Sequence, residues 1–285
     1  MRTENQFKAK CLDVTMAGLE AVLGRRLLNR LGGFVYWRTR GENLDDPERN
    51  GEYRTLDTIM GRLLGSRPVA LDVGANIGDW AERFVRTTDG GRVFAFEPVS
   101  DTFRAISTRF AAEPRVECVN AAVSDQPGRC EIRVGGALSG SNSIYAMPGE
   151  ACLRVETITA VSGDAFVAER NLRTIDFLKI DVEGHEVGVL RGFRRAIAER
   201  RIRFIQWEYN KTWIPAHVSL RDVFELLGPA GYRLCKLRPS GLLWYAHYDR
   251  TLDNFCYSNW IAVAEADFAA LRAQVRVAED TAGDW

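Results

Sequence analysis

Two rhythms of apolar and polar positions divide this chain. From residue 69 onward, short apolar runs of strand length recur at 69–73, 92–96, 115–120, 174–180, 203–207, 232–237 and 260–264. Such runs, bounded by turn formers, read as buried strands. Two further pieces, 130–134 and 155–161, read as extra extended segments, and 135–143 as a glycine and serine loop. Helical spacing of apolar residues marks 79–87, 100–112, 164–170, 186–200 and 220–227, the last closed by Gly228-Pro229. Asp164 gives its helix an acidic start. This alternation predicts an α/β fold on a doubly wound, mostly parallel seven-stranded sheet with helices on both faces. No helix separates the last two strands, so they are expected to pair as an antiparallel edge.

The first 66 residues follow the helical rhythm instead. Residues 14–31 and 54–64 are expected helices, and 38–51, charged and carrying Pro47, an expected loop. Arg25, Arg26 and Arg30 make the first of these helices locally basic. A solvated face explains that more simply than an anionic partner or a membrane surface. The division predicted is a helical N-terminal extension, 1–66, acting as a lid on an acceptor site, and a main domain, 67–285.

Polar residues cluster at the carboxyl ends of the predicted strands, where open α/β sheets bind ligands. Asp72, Glu97, Asn120, Asp181 and Glu208 all fall there. The run Leu71-Asp72-Val73-Gly74-Ala75-Asn76-Ile77-Gly78 turns on two glycines that allow positive φ and a close ligand approach. The helix after Gly78 aims its N–H groups at that turn. Glu97 ends the next strand about 20 residues on, the spacing at which an acid meets the hydroxyls of a ribose.

The glycine pattern selects the kind of nucleoside. A pyrophosphate wants G-x-G-x-x-G, and here Asn76 stands where bare backbone is needed. Asp72 and Asp79 flank the turn and would repel a pyrophosphate. They suit an ammonium and a sulfonium, both of which S-adenosylmethionine carries.

Composition narrows the class further. The chain has 285 residues, and 38 basic residues balance 38 acidic ones, which gives no argument for a polyanion partner. Six scattered cysteines (Cys11, Cys118, Cys130, Cys152, Cys235 and Cys256) form no C-x-x-C pair and read as reduced thiols. No run is long enough for a transmembrane segment and no secretory signal is evident, so a cytoplasmic location is expected.

Four motifs stand in order along the chain: Leu71 to Gly78, Phe96-Glu97-Pro98, Asn120-Ala121-Ala122-Val123-Ser124-Asp125, and Leu178-Lys179-Ile180-Asp181-Val182-Glu183-Gly184-His185-Glu186. Together they resemble the FkbM family of S-adenosylmethionine-dependent methyltransferases. The resemblance spans roughly residues 68 to 212, and the last motif is the most specific. It implies a class I methyltransferase, Rossmann-like fold and O-methylation of a hydroxyl on a sugar, glycolipid or secondary metabolite. By position, Asp72, Gly74, Asn76 and Gly78 would hold the amino-acid end of the cofactor and Glu97 the ribose. Asn120 and Ala121 would border the adenine, and Asp181 would lie near the transferring methyl. Ser162-Gly163-Asp164 departs from the Leu-Asp pair of many members, which puts the packing of that loop in question.

An aliphatic hydroxyl is a poor nucleophile until its proton leaves, so a base or a metal is useful. The candidates are Asp181, Glu183, His185, Glu186 and Glu208. His185 opens a helix, whose dipole would keep it neutral and able to act as base; capping that helix is the equal alternative. Asp181 and Glu208 could instead hold Mg2+, as acids on the fourth and fifth strands do in catechol-type O-methyltransferases, although no third ligand stands out. Ser139, Ser141, Asn142 and Ser143 could line an entrance. Trp213, Trp244, Tyr245, His247 and Tyr248 could stack on a sugar, although core packing explains aromatics more often.

Other functions remain in view. A nicotinamide-dependent oxidoreductase is disfavoured by the missing middle glycine, and a non-catalytic relative by the intact acids. A nucleic-acid methyltransferase would need a basic groove or an Asn/Asp-Pro-Pro-Tyr motif, and neither is present. The expected partner is a small-molecule or glycan acceptor, not nucleic acid; a homo-oligomer is compatible with the sequence.

Overall fold

The structure is a computed structural model that describes residues 2–136, 138–146, 149 and 152–279, with side chains from Asp13 onward. The chain divides into two compact units, Met1–Asn43 and Leu44–Trp285.

The first unit is helical and extends beyond the predicted 14–31. Helix α1 (Arg2–Leu23) passes into α2 (Arg25–Arg40) across Gly24, which sits at φ 72°. The Gly24 N–H closes α1 on the Glu20 carbonyl, and the Gly24 carbonyl opens α2 by accepting the Leu28 N–H. Residues 38–40, expected as loop, complete α2. The chain leaves it at Gly41, in the left-handed conformation that closes helices.

The second unit opens with α3 (Glu52–Arg62) and β1 (Val69–Val73), then α4 (Asp79–Thr87), β2 (Arg92–Phe96), α5 (Ser100–Arg109) and β3 (Val116–Val119). Three short strands follow: β4 (Ala122–Val123), β5 (Gly128–Val134) and β6 (Arg154–Val161). Next come α6 (Gly163–Glu169), β7 (Ile175–Ile180), α7 (Glu186–Gly192), α8 (Arg194–Ala198), β8 (Ile202–Tyr209) and α9 (Leu220–Leu227). The chain closes through β9 (Tyr232–Arg238), β10 (Gly241–Tyr245), β11 (Ser258–Ala264), α10 (Glu265–Gln274) and β12 (Val277–Glu279).

The main sheet has the order β12-β10-β9-β11-β8-β7-β1-β2-β3. From β3 to β8 the pairs are parallel. Helices cover both faces. Leu71, Phe94, Leu178 and Trp207 pack with α6 to α9, while Ala70, Phe177, Phe204 and Ile261 pack with α3, α4 and α10. The seven expected strands are all present, and β10 and β12 extend the sheet to nine.

The last two expected strands, β9 and β11, do pair antiparallel, but inside the sheet and not at its edge. Strand β11 lies between β8 and β9, antiparallel to both. All seven of its residues are buried, which requires a strand covered on both faces and on both edges. On this side the sheet ends with β10 and, at its edge, β12; Trp244 and Tyr245 of β10 were read as stacking aromatics.

The helix expected over 186–200 is also broken, at Phe193. The Asp164 carboxylate accepts the N–H groups of Arg195 and Ala196 at 2.7 and 2.9 Å, giving α8 a cap of its own. The two extra extended segments pair as a separate sheet, β4-β6-β5. Its Ile132 and Ile158 pack with Val99 beside the end of β2.

Candidate functional site

Parallel pairing of β2, β1, β7 and β8 brings Glu97, Asp72, Asp181 and Glu208 to one edge of the sheet. The two glycines of the turn have φ of 85° and 88°. Their missing side chains leave room for the protein itself rather than for a ligand. A Cβ on Gly74 would lie 1.8 Å from the Asp181 carbonyl oxygen. One on Gly78 would meet the Phe110 ring at 2.4 Å. Gly74 lines the cavities described below; Gly78 lines neither.

The first cavity is largely apolar and lies between the end of β2 and the small sheet. Val99, Ala121, Val123, Ile132, Ile144 and Ile158 form its walls, and Ser139, Gly140 and Asn142 part of its rim. Glu97 is buried at its floor, accepting the Asn76 N–H at 3.0 Å and the Val99 N–H at 2.9 Å, one on each oxygen. Burial raises its pKa to about 7, against the pull of those two N–H groups. Each oxygen keeps a lone pair for a ligand hydroxyl. Ala121 lines this cavity as expected, but Asn120 does not. Its exposed amide donates to the Glu97 and Pro98 carbonyls and so shapes the end of β2.

The second cavity lies beyond Gly74 and is acidic. Both cavities are lined by Gly74, Asn76, Asp181 and Glu183. Asp72 is fully buried here, and its Oδ2 has no hydrogen-bond partner among the described residues. Burial raises its pKa to about 7, opposed by Lys179. An ammonium would satisfy that oxygen. Asp79 also borders the cavity, but Arg109 holds it at 2.6 Å.

The sheet register explains the charge arrangement. Asp72 faces Lys179, and Lys179 faces Gln206, a polar row across three strands. Lys179 is buried and bonds Asp181 at 2.9 Å. Burial alone would lower its pKa, yet Asp181, Glu52 and Asp72 outweigh this and raise it. Glu52 of α3 reaches the same region, held by the Gln206 and Asn259 amides at 2.6 and 3.0 Å. Asp45, Pro47 and Tyr53 border the cavity with it. Glu208 accepts from the Asn210 amide. Its pKa is raised well above the usual carboxylate value, first by burial and then by Asp181 and Glu183.

His185 lines the first cavity and not the second. Its Nε2 lies 3.0 Å from the Ser124 hydroxyl and its Nδ1 3.1 Å from the Tyr145 hydroxyl. Its pKa is lowered by burial, the main cause, rather than by the helix end. Glu186 is fully buried and takes the Val182 and Gly184 N–H groups, which fixes the loop that carries Asp181 and Glu183.

Asp181, Glu183 and Glu208 each bring one carboxylate oxygen within 4.8 Å of the others. Glu183 is thus the third carboxylate missing from the sequence reading. Its φ of 53° turns the chain back toward the strand end, which spacing alone does not disclose. The reading also missed Lys179, signalled by one lysine inside an otherwise apolar run, and Glu52, Ser124 and Tyr145, which carried no signal. Trp213 is fully buried in the core, and Trp244, Tyr245, His247 and Tyr248 border a separate groove. Five cysteines are free thiols; the side chain of Cys11 lies outside the described residues.

A sequence profile described as Methyltransferase FkbM domain matches residues 72–234. The chain is 31% identical over 163 residues to the hexuronic acid methyltransferase AglP of Haloferax volcanii, covering 57% of this chain and 62% of that protein. It is 27% identical over 186 residues to the 2-O-methyltransferase NoeI of Sinorhizobium fredii, covering 59% and 74% respectively. Among solved structures it is similar to the precorrin-6y C5,15-methyltransferase of Geobacter metallireducens, with TM-score 0.40 and 14% identity over 78% of this chain and 98% of that one.

Proposed function

Because this chain belongs to the FkbM-domain methyltransferases, we propose that it transfers a methyl group from S-adenosylmethionine to a hydroxyl of a sugar or glycan. The observation that carries the reading is the buried Glu97 in an apolar cavity that meets an acidic one at Gly74 and Asp181. When bound, the cofactor supplies an electrophilic methyl on a sulfonium. Glu97 would hold its ribose, Ala121 and the isoleucines its adenine, and Asp72 with Gly74 and Asn76 its amino-acid end. A neutral hexose or amino sugar fits the acidic cavity better than a uronic acid. Asp45, Glu52, Asp181, Glu183 and Glu208 line it, and Lys179 is the one cation among the described lining residues. Tyr53, Trp80 and Tyr257 offer apolar faces for a ring.

In this reading Glu208 takes the proton of the acceptor hydroxyl, since it lines the acceptor side and its raised pKa suits a base. His185, bonded at both nitrogens, positions the loop on the cofactor side, which moves the base from His185 to Glu208. A second reading is favoured by the position of Glu183. Asp181, Glu183 and Glu208 together could hold Mg2+, hard oxygen ligands that would lower the pKa of an acceptor hydroxyl. Residues 45–53, within the expected extension, border the acceptor side and would select among sugars. The free thiols fit a reducing, cytoplasmic setting. Transfer of radiolabelled methyl to a panel of neutral, amino and acidic sugars tests the assignment. Transfer to neutral or amino sugars, unchanged by chelator, supports the Glu208 base. Loss in chelator with recovery in Mg2+ supports the metal. Absence of cofactor binding by calorimetry would overturn both.

A further inference from the structure

Helix α2 has a face and a charge that methyl transfer does not use. Between Arg25 and Arg40 there are five arginines and no acid, in a chain of zero formal charge. No residue of the helix is buried. At 100° per residue, Leu27, Leu28, Leu31, Phe34 and Val35 share one arc. Arg25, Arg26, Arg30 and Arg40 fall on the opposite side together with Tyr36 and Trp37, and Arg38, near the C-terminal end, falls within the apolar arc. Leu27, Leu31, Phe34 and Val35 are 45–60% exposed. Phe34, Tyr36 and Trp37 add three exposed rings toward the C-terminal end.

Local pairing offsets only part of the charge. Arg25 bonds Glu20 at 2.8 Å and Arg40 bonds Glu42 at 3.0 Å. Arg26, Arg30 and Arg38 keep an excess of positive charge on this segment. A second copy of the helix would add more positive charge beside it, whereas an anionic surface complements that charge. A short amphipathic helix with four of its five arginines on one side and Leu, Val and Phe on the other matches an interface between water and lipid. No helix among the described residues is long and apolar enough to cross a membrane, so it would lie along the surface.

We propose that α2 binds the surface of an anionic lipid bilayer, with its Leu27–Leu31–Phe34–Val35 arc in the acyl boundary and its arginines at the headgroups. The test uses the full chain, floated with vesicles of phosphatidylcholine alone or with added phosphatidylglycerol. Binding to the anionic vesicles and its loss at high salt are expected. Replacing Arg26, Arg30 and Arg38 by Gln should weaken it by about a hundredfold, since each arginine near such a surface contributes roughly fivefold. Leu31→Glu with Phe34→Glu should abolish it while circular dichroism and cofactor affinity stay unchanged. Failure to bind anionic vesicles overturns the proposal. So does equal binding to both vesicle types, or a dimer that the Leu31→Glu, Phe34→Glu pair dissolves, which would assign the face to a second copy.

Discussion

At the scale of single residues, Glu97 and Glu208 divide the labour. Glu97 is oriented by two backbone N–H groups before any ligand arrives. Glu97→Ala should weaken cofactor binding by more than tenfold in calorimetry, an effect of roughly 1–3 kcal/mol from unpaired hydroxyls. Unchanged affinity would remove Glu97 from the ribose. Glu208 must be ionised to accept a proton, so the rate should fall as pH drops through its raised pKa. Glu208→Gln should lower kcat by roughly a hundredfold or more. His185→Gln should change KM for the cofactor more than kcat; the reverse split would restore His185 as the base.

At the scale of elements, the loops after β1 and β7 interlock. Gly74 at φ 85° lies against the Asp181 carbonyl, so Gly74→Ala faces both a strained backbone and a backbone clash. A loss of about 3 kcal/mol or more in urea unfolding is expected. A well-folded Gly74→Ala with intact cofactor binding would show that the loops can separate. Glu186 gives the second loop a pH signature. Burial raises its pKa from 4.5 to about 7. Native protein therefore keeps this proton over a range where the unfolded chain has lost it. Its contribution to stability is full below pH 4.5 and declines as pH rises toward 7. Glu186→Gln does not titrate, so its thermal midpoint should differ less between pH 5 and pH 8 than that of the wild type. An unchanged difference would assign the profile to other groups such as Asp72 and Glu97, whose pKa values are shifted the same way.

At the scale of the whole molecule, the compact units meet at residues 43 and 44. Leu56, Ile59 and Met60 of α3 are core residues of the second unit, and Glu52 ties α3 to β8 and β11. A chain beginning at residue 44 should stay folded and bind cofactor. A chain beginning at 67 should unfold, because it exposes that part of the core and leaves Gln206 and Asn259 without their carboxylate. Circular dichroism and calorimetry on the two truncations check this, and equal folding of both would deny α3 its structural role.

The sequence by itself determined the alternation of strands and helices, the central parallel strands and the acids at their ends. Each is a local signal: an apolar run, a glycine turn, a carboxylate where a run stops. Asp72, Glu97, Asp181 and Glu208 were legible because strand ends in a parallel sheet share one edge. What only the tertiary structure decided depends on contacts between distant segments. The place of β11 between β8 and β9 follows from burial on both faces, which an apolar run shares with edge strands. The break at Phe193 comes from Asp164, some 30 residues earlier. The row Asp72, Lys179 and Gln206 needs the register of three strands before a buried lysine acquires its acids. The third carboxylate, Glu183, depends on a left-handed turn that sequence spacing does not encode, beside a Gly184 that lies against the Thr212 carbonyl of a distant segment.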